Sequence, residues 1–204
     1  MFSPTGGLAY HAKAWRYKNS LWLPFCAEIK KRLAEWRPPE RELVVLGPSG
    51  GYTLPSEFLR SFDKLYLFDP DPLASILFKQ NHPGLNMEWS KRDLVFRLDS
   101  YAPSLLIEWL HGRKIAVLFS NLIGQLPIYT HRGFENWWKE IGPELNKHSW
   151  FSYHDVYSYD MRKQEEWIDH GTTGLFGKSS VETSWRITPR RTHVVGIESY
   201  RTAP

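Results

Sequence analysis

Apolar positions near the start of the chain follow the spacing of a helix. Between residues 21 and 36 they recur every three or four positions, while Glu28 and Arg32 lie four apart on the other side (Trp22, Phe25, Cys26, Ile29, Leu33 and Trp36). Pro38 and Pro39 follow this stretch and end it. The pattern predicts an amphipathic helix with one buried face.

Short apolar runs beyond this helix predict five strands separated by helices. The predicted strands are residues 43–46, 64–69, 85–89, 114–119 and 150–156. Helical patterns lie between them at about residues 54–62, from 72 to the 81–84 breaker, at 104–110 and at 134–145, and a polar segment at about 160–169 is also predicted to be helical. Strands that alternate with helices favour right-handed crossovers and a parallel sheet covered on both sides.

Two alternating runs after residue 180 differ from the rest. Val181, Thr183, Trp185 and Ile187 share one face of the first run, and Val195 with Ile197 share one face of the second, with the turn TPRR between them. This pattern predicts a closing antiparallel hairpin. The whole chain, 1–204, is read as one α/β domain with a seven-stranded, mostly parallel sheet, and residues 1–38 form an N-terminal arm and first helix.

Composition supports an ordered globular protein. The chain has 204 residues, 42% of them hydrophobic, with 10 Trp, 11 Phe and 10 Tyr, which excludes a disordered segment. The net charge of +4 is mild and the basic residues are scattered, so nucleic-acid binding is neither indicated nor excluded.

The sequence also indicates a cellular compartment, through the absence of a visible targeting segment and through its cysteine content. Neither a signal peptide nor an apolar run long enough to span a membrane is visible, and we expect a cytoplasmic protein. The single cysteine, Cys26, has no partner for an internal disulfide or a zinc site, which fits a reducing compartment, and no metal is predicted.

Candidate chemistry lies at the ends of the first two predicted strands. After the first strand comes the sequence GPSGG (47–51), whose glycines allow a sharp turn and a close approach of backbone N–H groups to a ligand. Asp69 follows twenty-two residues after Gly47, at the end of the second strand, near the spacing at which a carboxylate binds a ribose diol. A ribose-bearing cofactor is therefore predicted. Asp69 is alternatively a helix cap, although Asp71 is better placed for that role.

This loop and carboxylate resemble those of the class I S-adenosylmethionine-dependent methyltransferases, a family with a Rossmann-like fold. The likeness extends over residues 21–200 in the order of elements, and the closing hairpin distinguishes this fold from dinucleotide-binding domains. The resemblance implies that Gly47, Ser49, Gly50 and Gly51 face the methionine part of the donor, and that Asp69 holds the ribose hydroxyls.

Two further positions follow from the same resemblance. Asp93, after the third strand, matches the family's acidic residue near the adenine amino group, and Asn121, after the fourth strand, stands where the family places donor and substrate contacts. Asp93 is equally read as a surface aspartate, and Asn121 as a residue that stabilises a turn.

A general base is needed only where the acceptor holds its proton tightly. The candidates are His154 and Asp155 at the end of the fifth strand, which point to opposite faces while the strand continues, and His131. The aromatic N-terminal segment, with Tyr10, is either a lid or a packed arm, and residues 170–177 are either a lid or an ordinary connection.

The sequence thus predicts a methyltransferase that uses S-adenosylmethionine on a small-molecule acceptor. Two alternatives remain. Val45 stands where the family's loop has an acidic residue and Pro48 follows the first glycine, as in a non-catalytic protein that keeps the fold as a scaffold. A nucleotide-dependent oxidoreductase is disfavoured by the hairpin and by the absence of a Gly-x-Gly-x-x-Gly pattern.

Overall fold

The computed structural model describes residues 7–95, 103–123, 134–160, 167–169 and 181–202. The helices in these ranges are α1 (Leu8–Tyr17), α2 (Leu23–Trp36), α3 (Ser56–Leu59), α4 (Ala74–Asn81), α5 (Pro103–Leu110) and α6 (Phe134–Leu145). The strands are β1 (Glu42–Leu46), β2 (Lys64–Phe68), β3 (Met87–Ser90), β4 (Ala116–Ser120), β5 (Trp150–Asp160), β6 (Trp167–Asp169), β7 (Val181–Arg186) and β8 (Arg191–Tyr200).

The strands form one mixed sheet in the order β3-β2-β1-β4-β5-β8-β7, and β6 pairs separately with β5. The first five strands are parallel, whereas β8 runs antiparallel to both β5 and β7. Since β1 lies between β2 and β4, the strand order reverses there, and the carboxyl ends of these three strands border one crevice. Ligands of open parallel sheets bind at such a point.

Alternation along β1 divides the core into two layers. Leu43 and Val45 pack with α2 on one face, while Val44 and Leu46 pack with α5 and α6 on the other. All four side chains are at most 1% exposed, as expected of a central parallel strand. Both faces of the strand are therefore covered.

Helix α2 is fastened to the far end of the chain. The indole Nε1 of Trp22 donates to the carbonyl of Ile187 over 3.1 Å, and that of Trp36 donates to the carbonyl of Tyr200 over 2.9 Å. These bonds hold the buried face of α2 against the closing hairpin.

The predicted Rossmann-like α/β fold, with its seven-stranded sheet and closing hairpin, is confirmed, with one correction. The segment 160–169 is not helical where it is described, because β5 continues to Asp160 and Trp167–Asp169 is a strand paired with it. Seven strands form the continuous path of the sheet, as predicted, and β6 adds a short eighth strand that pairs with β5. Pairing with β8 and β6 satisfies the backbone of these polar residues and outweighs their local preference.

The N-terminal arm contains a helix, α1, that apolar spacing did not predict. Within the described part of the chain, no helix combines the length and the hydrophobicity that crossing a membrane requires.

Candidate functional site

The glycine loop after β1 has left-handed backbone at three positions. Gly47 has φ 69°, Ser49 has φ 49° and Gly51 has φ 69°. The N–H of Gly47 donates to the carbonyl of Phe68 at the end of β2 over 2.9 Å, and that of Gly51 donates back to Pro48 over 2.9 Å. The loop is a closed turn bonded to its neighbouring strand, and at Gly47 and Gly51 a side chain would add backbone strain.

This chain's own side chains fill the space beside two of these glycines. A Cβ on Gly50 would lie 2.5 Å from the ring of Tyr52, and a Cβ on Gly51 would lie 2.5 Å from Nε2 of His82. His82 Nε2 also lies 3.0 Å from the Gly51 carbonyl, and Asn81 donates to the Gly50 carbonyl over 2.8 Å. The end of α4 therefore fixes the loop from behind. Burial lowers the pKa of His82, which keeps its ring neutral.

Asp69 joins the loop to the end of β2. Its carboxylate accepts the backbone N–H of Ser49 over 2.8 Å and that of Asp71 over 2.9 Å. Burial raises the pKa of Asp69 to about 6, against the opposing effect of these two donors. At neutral pH the group is mostly ionised, and a carboxylate with about four acceptor positions can accept further hydrogen bonds.

Helix α1 reaches this same corner through His11. Its Nδ1 lies 2.8 Å from the hydroxyl of Tyr52, and its Nε2 lies 2.9 Å from the carboxylate of Asp71. Asp71 also accepts the N–H of Leu73, just before α4 begins at Ala74. This contact is close to the predicted role of Asp71 as a helix cap. His11 is 7% exposed, so the contact is sheltered. Helix α1 is thereby bonded both to the loop and to the turn after β2.

A buried hydroxyl cluster lies between the loop and the end of β4. The phenol of Tyr153 lies 2.6 Å from the hydroxyl of Thr53 and also contacts that of Ser120. Burial raises the pKa of Tyr153 to about 12, so it stays protonated. The cluster links the segment after the loop to β4 and β5.

A second polar group lies at the ends of β4 and β5. Asn121, with φ 52°, follows β4 directly, and its side-chain oxygen accepts the N–H of Asp155 over 3.1 Å. The carboxylate of Asp155 lies 2.9 Å from Nδ1 of His193, a residue of β8. Asp155 and His193 are both mostly buried, with side chains 10% and 13% exposed. Three strands thus bring an amide, a carboxylate and an imidazole together.

His154 lies apart from this group, on the opposite face of β5. Its ring is fully buried, 3.8 Å from the carboxylate of Glu198, and its Nδ1 lies 3.1 Å from the hydroxyl of Ser152. The ring fits because Gly196 stands opposite it, where a Cβ would lie 3.2 Å from Nε2. The structure brings Asp155 to Asn121 and does not bring His154 there.

Of the other predicted site residues, Asp93 lies after β3, and its carboxylate accepts the N–H of Val95 over 2.9 Å, as in a local turn. His131 and residues 170–177 lie outside the described residues. In the N-terminal segment, Tyr10 packs inward against Trp22 and Trp185, whereas Trp15 is 84% exposed and lines no enclosed surface.

The sequence did not point to His193 or to Tyr153 as members of a site. Both lie in strands, and only the pairing of β5 with β8 places His193 near Asp155. The alternation of the closing hairpin, with Trp185 and Val195 inward, does place His193 on the inward face, and this was the available signal.

A cavity of about 450 Å³ lies elsewhere, against the C-terminal half of α2 and α3. Leu33, Pro38, Phe58 and Phe62 are among its lining residues, and Arg41 precedes β1, so the cavity is at the amino ends of the strands. It is therefore separate from the groups at the strand ends described above.

Comparison with known proteins gives likeness of fold only. No protein-family model matches the sequence, and no curated protein matches it. Among solved structures, a DhpI–SAH complex is 14% identical with a TM-score of 0.49 over 92% of each chain. The N-methyltransferase NodS from Bradyrhizobium japonicum WM9, with S-adenosylhomocysteine, is 8% identical with a TM-score of 0.48 over 87% of each chain.

A third structure is magnesium protoporphyrin IX methyltransferase (ChlM) from Synechocystis PCC 6803 with bound SAM. It is 11% identical with a TM-score of 0.44, over 86% of this chain and 80% of that chain. At these identities and scores, the activities of the three proteins are not transferred to this chain.

Proposed function

We propose that this protein binds S-adenosylmethionine at the ends of β1 and β2 and transfers its methyl group to a small-molecule acceptor. The observation that carries the proposal is Asp69, a carboxylate 7% exposed at the end of β2 and hydrogen-bonded to the glycine loop through Ser49. Burying an acidic group is costly, and such groups concentrate where ligands bind.

The residues fit the donor's chemistry. Each oxygen of Asp69 accepts one backbone N–H, which leaves acceptor positions for ribose hydroxyls. Among the described residues, the N–H of Gly50 has no backbone acceptor. This N–H could therefore donate to the carboxylate of the methyl donor. Aromatic side chains from α1 and the loop, Tyr10 and Tyr52, are near this corner, and aromatic faces attract a cationic sulfonium.

When bound, the donor would supply a methyl carbon activated by a positively charged sulfur. The chain's own task would then be alignment, since in-line displacement gains most from holding the two reactants in place. The loop, fixed by Asn81 and His82, supplies a rigid wall for the donor. Asn121 lies at the end of β4, beside that wall. The next residue, Leu122, is close to the loop, since a Cβ on Gly47 would lie 3.2 Å from its side chain.

A small-molecule acceptor is favoured over nucleic acid because the 26 basic residues are scattered and form no concentrated stripe. The closing antiparallel hairpin favours a methyl donor over a dinucleotide.

One observation favours the scaffold alternative. Tyr52 and His82 occupy the space beside Gly50 and Gly51, so these glycines serve internal packing whether or not a ligand binds. A protein that kept the fold without the donor would need the same glycines, and donor binding separates the two functions.

Calorimetric titration with S-adenosylmethionine, S-adenosylhomocysteine and NAD tests the proposal. We expect micromolar binding of the first two and none of NAD. Asp69→Asn should weaken S-adenosylhomocysteine binding roughly 10- to 100-fold, since hydrogen bonds to a charged group contribute about 1.5–3 kcal/mol each.

Asp63→Asn is the matched control. Asp63 lies at the amino end of β2, whereas Asp69 lies at the carboxyl end, and Asp63 is 60% exposed in its pair with Arg41. It should bind the donor like the unmodified protein. If the folded protein binds none of the three ligands, the scaffold function replaces the enzymatic one. Binding of NAD alone would indicate an oxidoreductase.

A further inference from the structure

A histidine and a carboxylate meet on the inward face of the sheet, beside the proposed donor site. Nδ1 of His193 lies 2.9 Å from Oδ2 of Asp155. The distance is that of a hydrogen bond, although the ring N–H is not aligned with the oxygen as a hydrogen bond requires. Catalytic hydrogen bonds are often loosely aligned in the absence of ligand.

The pairing of strands fixes this meeting. In the antiparallel register, Asp155 is opposite Val195, and residues opposite each other share a face, as do residues two apart along a strand. His193 therefore points to the same side as Asp155. On its other flank His193 is opposite Trp185 in β7, with ring centroids 6.1 Å apart. The two neighbouring strands confine the ring.

The pair adjoins the proposed donor site through Asn121. Its side chain accepts the N–H of Asp155, and the next residue, Leu122, packs on Gly47. A short path thus connects the first glycine of the loop to Asp155 and so to His193. This path is the structural link between the proposed donor site and the pair.

The orientation of the ring determines which nitrogen can accept a proton. With Nδ1 directed at a carboxylate, the neutral ring carries its hydrogen there and its lone pair on Nε2. Among the residues that the structure describes, Nε2 of His193 has no hydrogen-bond partner, although it is buried. A buried basic nitrogen without a partner is suited to a ligand's proton.

Other ionisable groups surround this region. Helix α1 contributes Tyr10, whose phenol has a pKa raised by burial and by neighbours that include Tyr153 and Asp155. The same helix contributes Lys13, and burial together with Arg191 of β8 lowers the pKa of that ammonium group. The charged and ionisable groups around the imidazole therefore include Asp155, Tyr10, Lys13 and Arg191.

We propose that His193, positioned by Asp155, is the general base for methyl transfer, and that the acceptor attacks through an oxygen or nitrogen that carries a proton, as in a phenol or a ring N–H. The inference rests on the proposed methyltransferase function and narrows its substrate class. Acceptors that need no deprotonation, such as thioethers and tertiary amines, do not require this pair.

The acceptor's oxygen or nitrogen forms a bond to the methyl carbon while the carbon–sulfur bond breaks and its electron pair stays on sulfur. His193 Nε2 takes the acceptor's proton, and the carboxylate of Asp155 stabilises the resulting imidazolium. The proton then passes to solvent, which returns the pair to its starting state.

The first test needs no acceptor. In ¹⁵N-labelled protein saturated with S-adenosylhomocysteine, long-range ¹⁵N–¹H correlation should show His193 protonated at Nδ1 and unprotonated at Nε2 when neutral. Asp155→Asn should change this tautomer or mix the two. A hydrogen on Nε2 in the unmodified protein would overturn the proposal, because that nitrogen could not accept a proton.

The second test uses tritiated S-adenosylmethionine and matched pairs of acceptors, each a phenol and its nitro-substituted counterpart under conditions in which the latter is already ionised. His193→Gln should lower transfer to the protonated phenols by about 10²- to 10⁴-fold. Transfer to the ionised partners should fall less than about 10-fold, because they need no base. His111→Gln, on an exposed side chain, is the control.

The outcomes separate this inference from the function on which it rests. If S-adenosylhomocysteine does not bind the unmodified protein, the proposed function fails. If it binds and His193→Gln lowers transfer to both members of each pair equally, the donor site stands and the general-base role is overturned. Donor binding without transfer to any protonated acceptor also overturns it.

Discussion

The backbone N–H of Ser49 donates to the carboxylate of Asp69 over 2.8 Å and so joins the ends of β1 and β2. The glycine loop therefore fixes the position of the Asp69 carboxylate before any ligand binds. A ligand that lies on this loop would meet a carboxylate that is already in place. Preorganisation of this kind lowers the entropy lost on binding. The same bond makes the loop's stability depend on the charge of Asp69.

Asp69 should make the protein less stable as pH rises. Its pKa in the folded state is about 6, above the ordinary carboxyl value of 3.8, so the folded state holds the proton more tightly than the unfolded state does. The contribution of Asp69 to the free energy of unfolding should then be largest below pH about 4 and fall, by up to roughly 3 kcal/mol, as pH rises through about 6. Urea denaturation across this range measures it.

The contribution is isolated by difference. Asp69→Asn cannot titrate, so its curve should lack this decline and its difference from the unmodified protein should change with pH, while Asp63→Asn, on an exposed side chain, should keep the decline. Parallel pH curves for Asp69→Asn and the unmodified protein would contradict the prediction.

Gly51 should tolerate a methyl group far worse than Gly84. Both have left-handed backbone, with φ 69° and φ 77°, so alanine adds about 1–2 kcal/mol of strain at either position. At Gly51 the new Cβ would also lie 2.5 Å from His82, whereas nothing lies within 4 Å at Gly84. Gly51→Ala should therefore lower the free energy of unfolding by a further 1–3 kcal/mol or so.

Chemical denaturation of both variants gives the comparison directly. Because the backbone strain is common to the two, the difference reports the contacts with His82 and Phe78, both residues at or beside the end of α4. Equal losses would show that α4 yields freely and does not fix the loop.

His11 should hold α1 in place over the candidate site. Its ring bridges Tyr52 and Asp71 at 2.8 Å and 2.9 Å, and its removal leaves both without that partner. We expect His11→Ala to raise amide hydrogen exchange across Leu8–Tyr17 roughly 10-fold or more, as loss of about 1.5 kcal/mol implies.

Trp15→Ala on the same helix is the control, since this side chain is 84% exposed and its loss should leave exchange nearly unchanged. Exchange that stays unchanged in His11→Ala, or that rises equally in both variants, would show that the contacts of His11 do not hold α1.

The sequence predicted the parallel half of the sheet well because its strands are buried on both faces. Runs such as residues 43–46 are short, apolar throughout and rich in β-branched residues, which is the pattern of a strand buried on both faces. Pro38 and Pro39 likewise placed the end of α2 near Trp36. Local chemistry determines these features.

The antiparallel half was harder because its structure depends on distant partners. β5 continues through Tyr157 and Tyr159 to Asp160 because β8 and β6 pair with it, and the polar sequence gives little sign of this. Helix α1 is anchored through His11 by residues more than forty positions away. His193 is brought to Asp155 by the same long-range pairing, which no local pattern encodes.

The bonds from Trp22 and Trp36 to the closing hairpin bear on how the protein is made. Each spans about 165 residues, so the face of α2 that packs on the closing hairpin gains its cover only after β7 and β8 have been synthesised. At translation rates of roughly 5–20 residues per second, that face stays uncovered on the ribosome for about 8–30 seconds. Nascent chains should therefore recruit chaperones through α2, and a translational pause before β7 should lower the yield of folded protein.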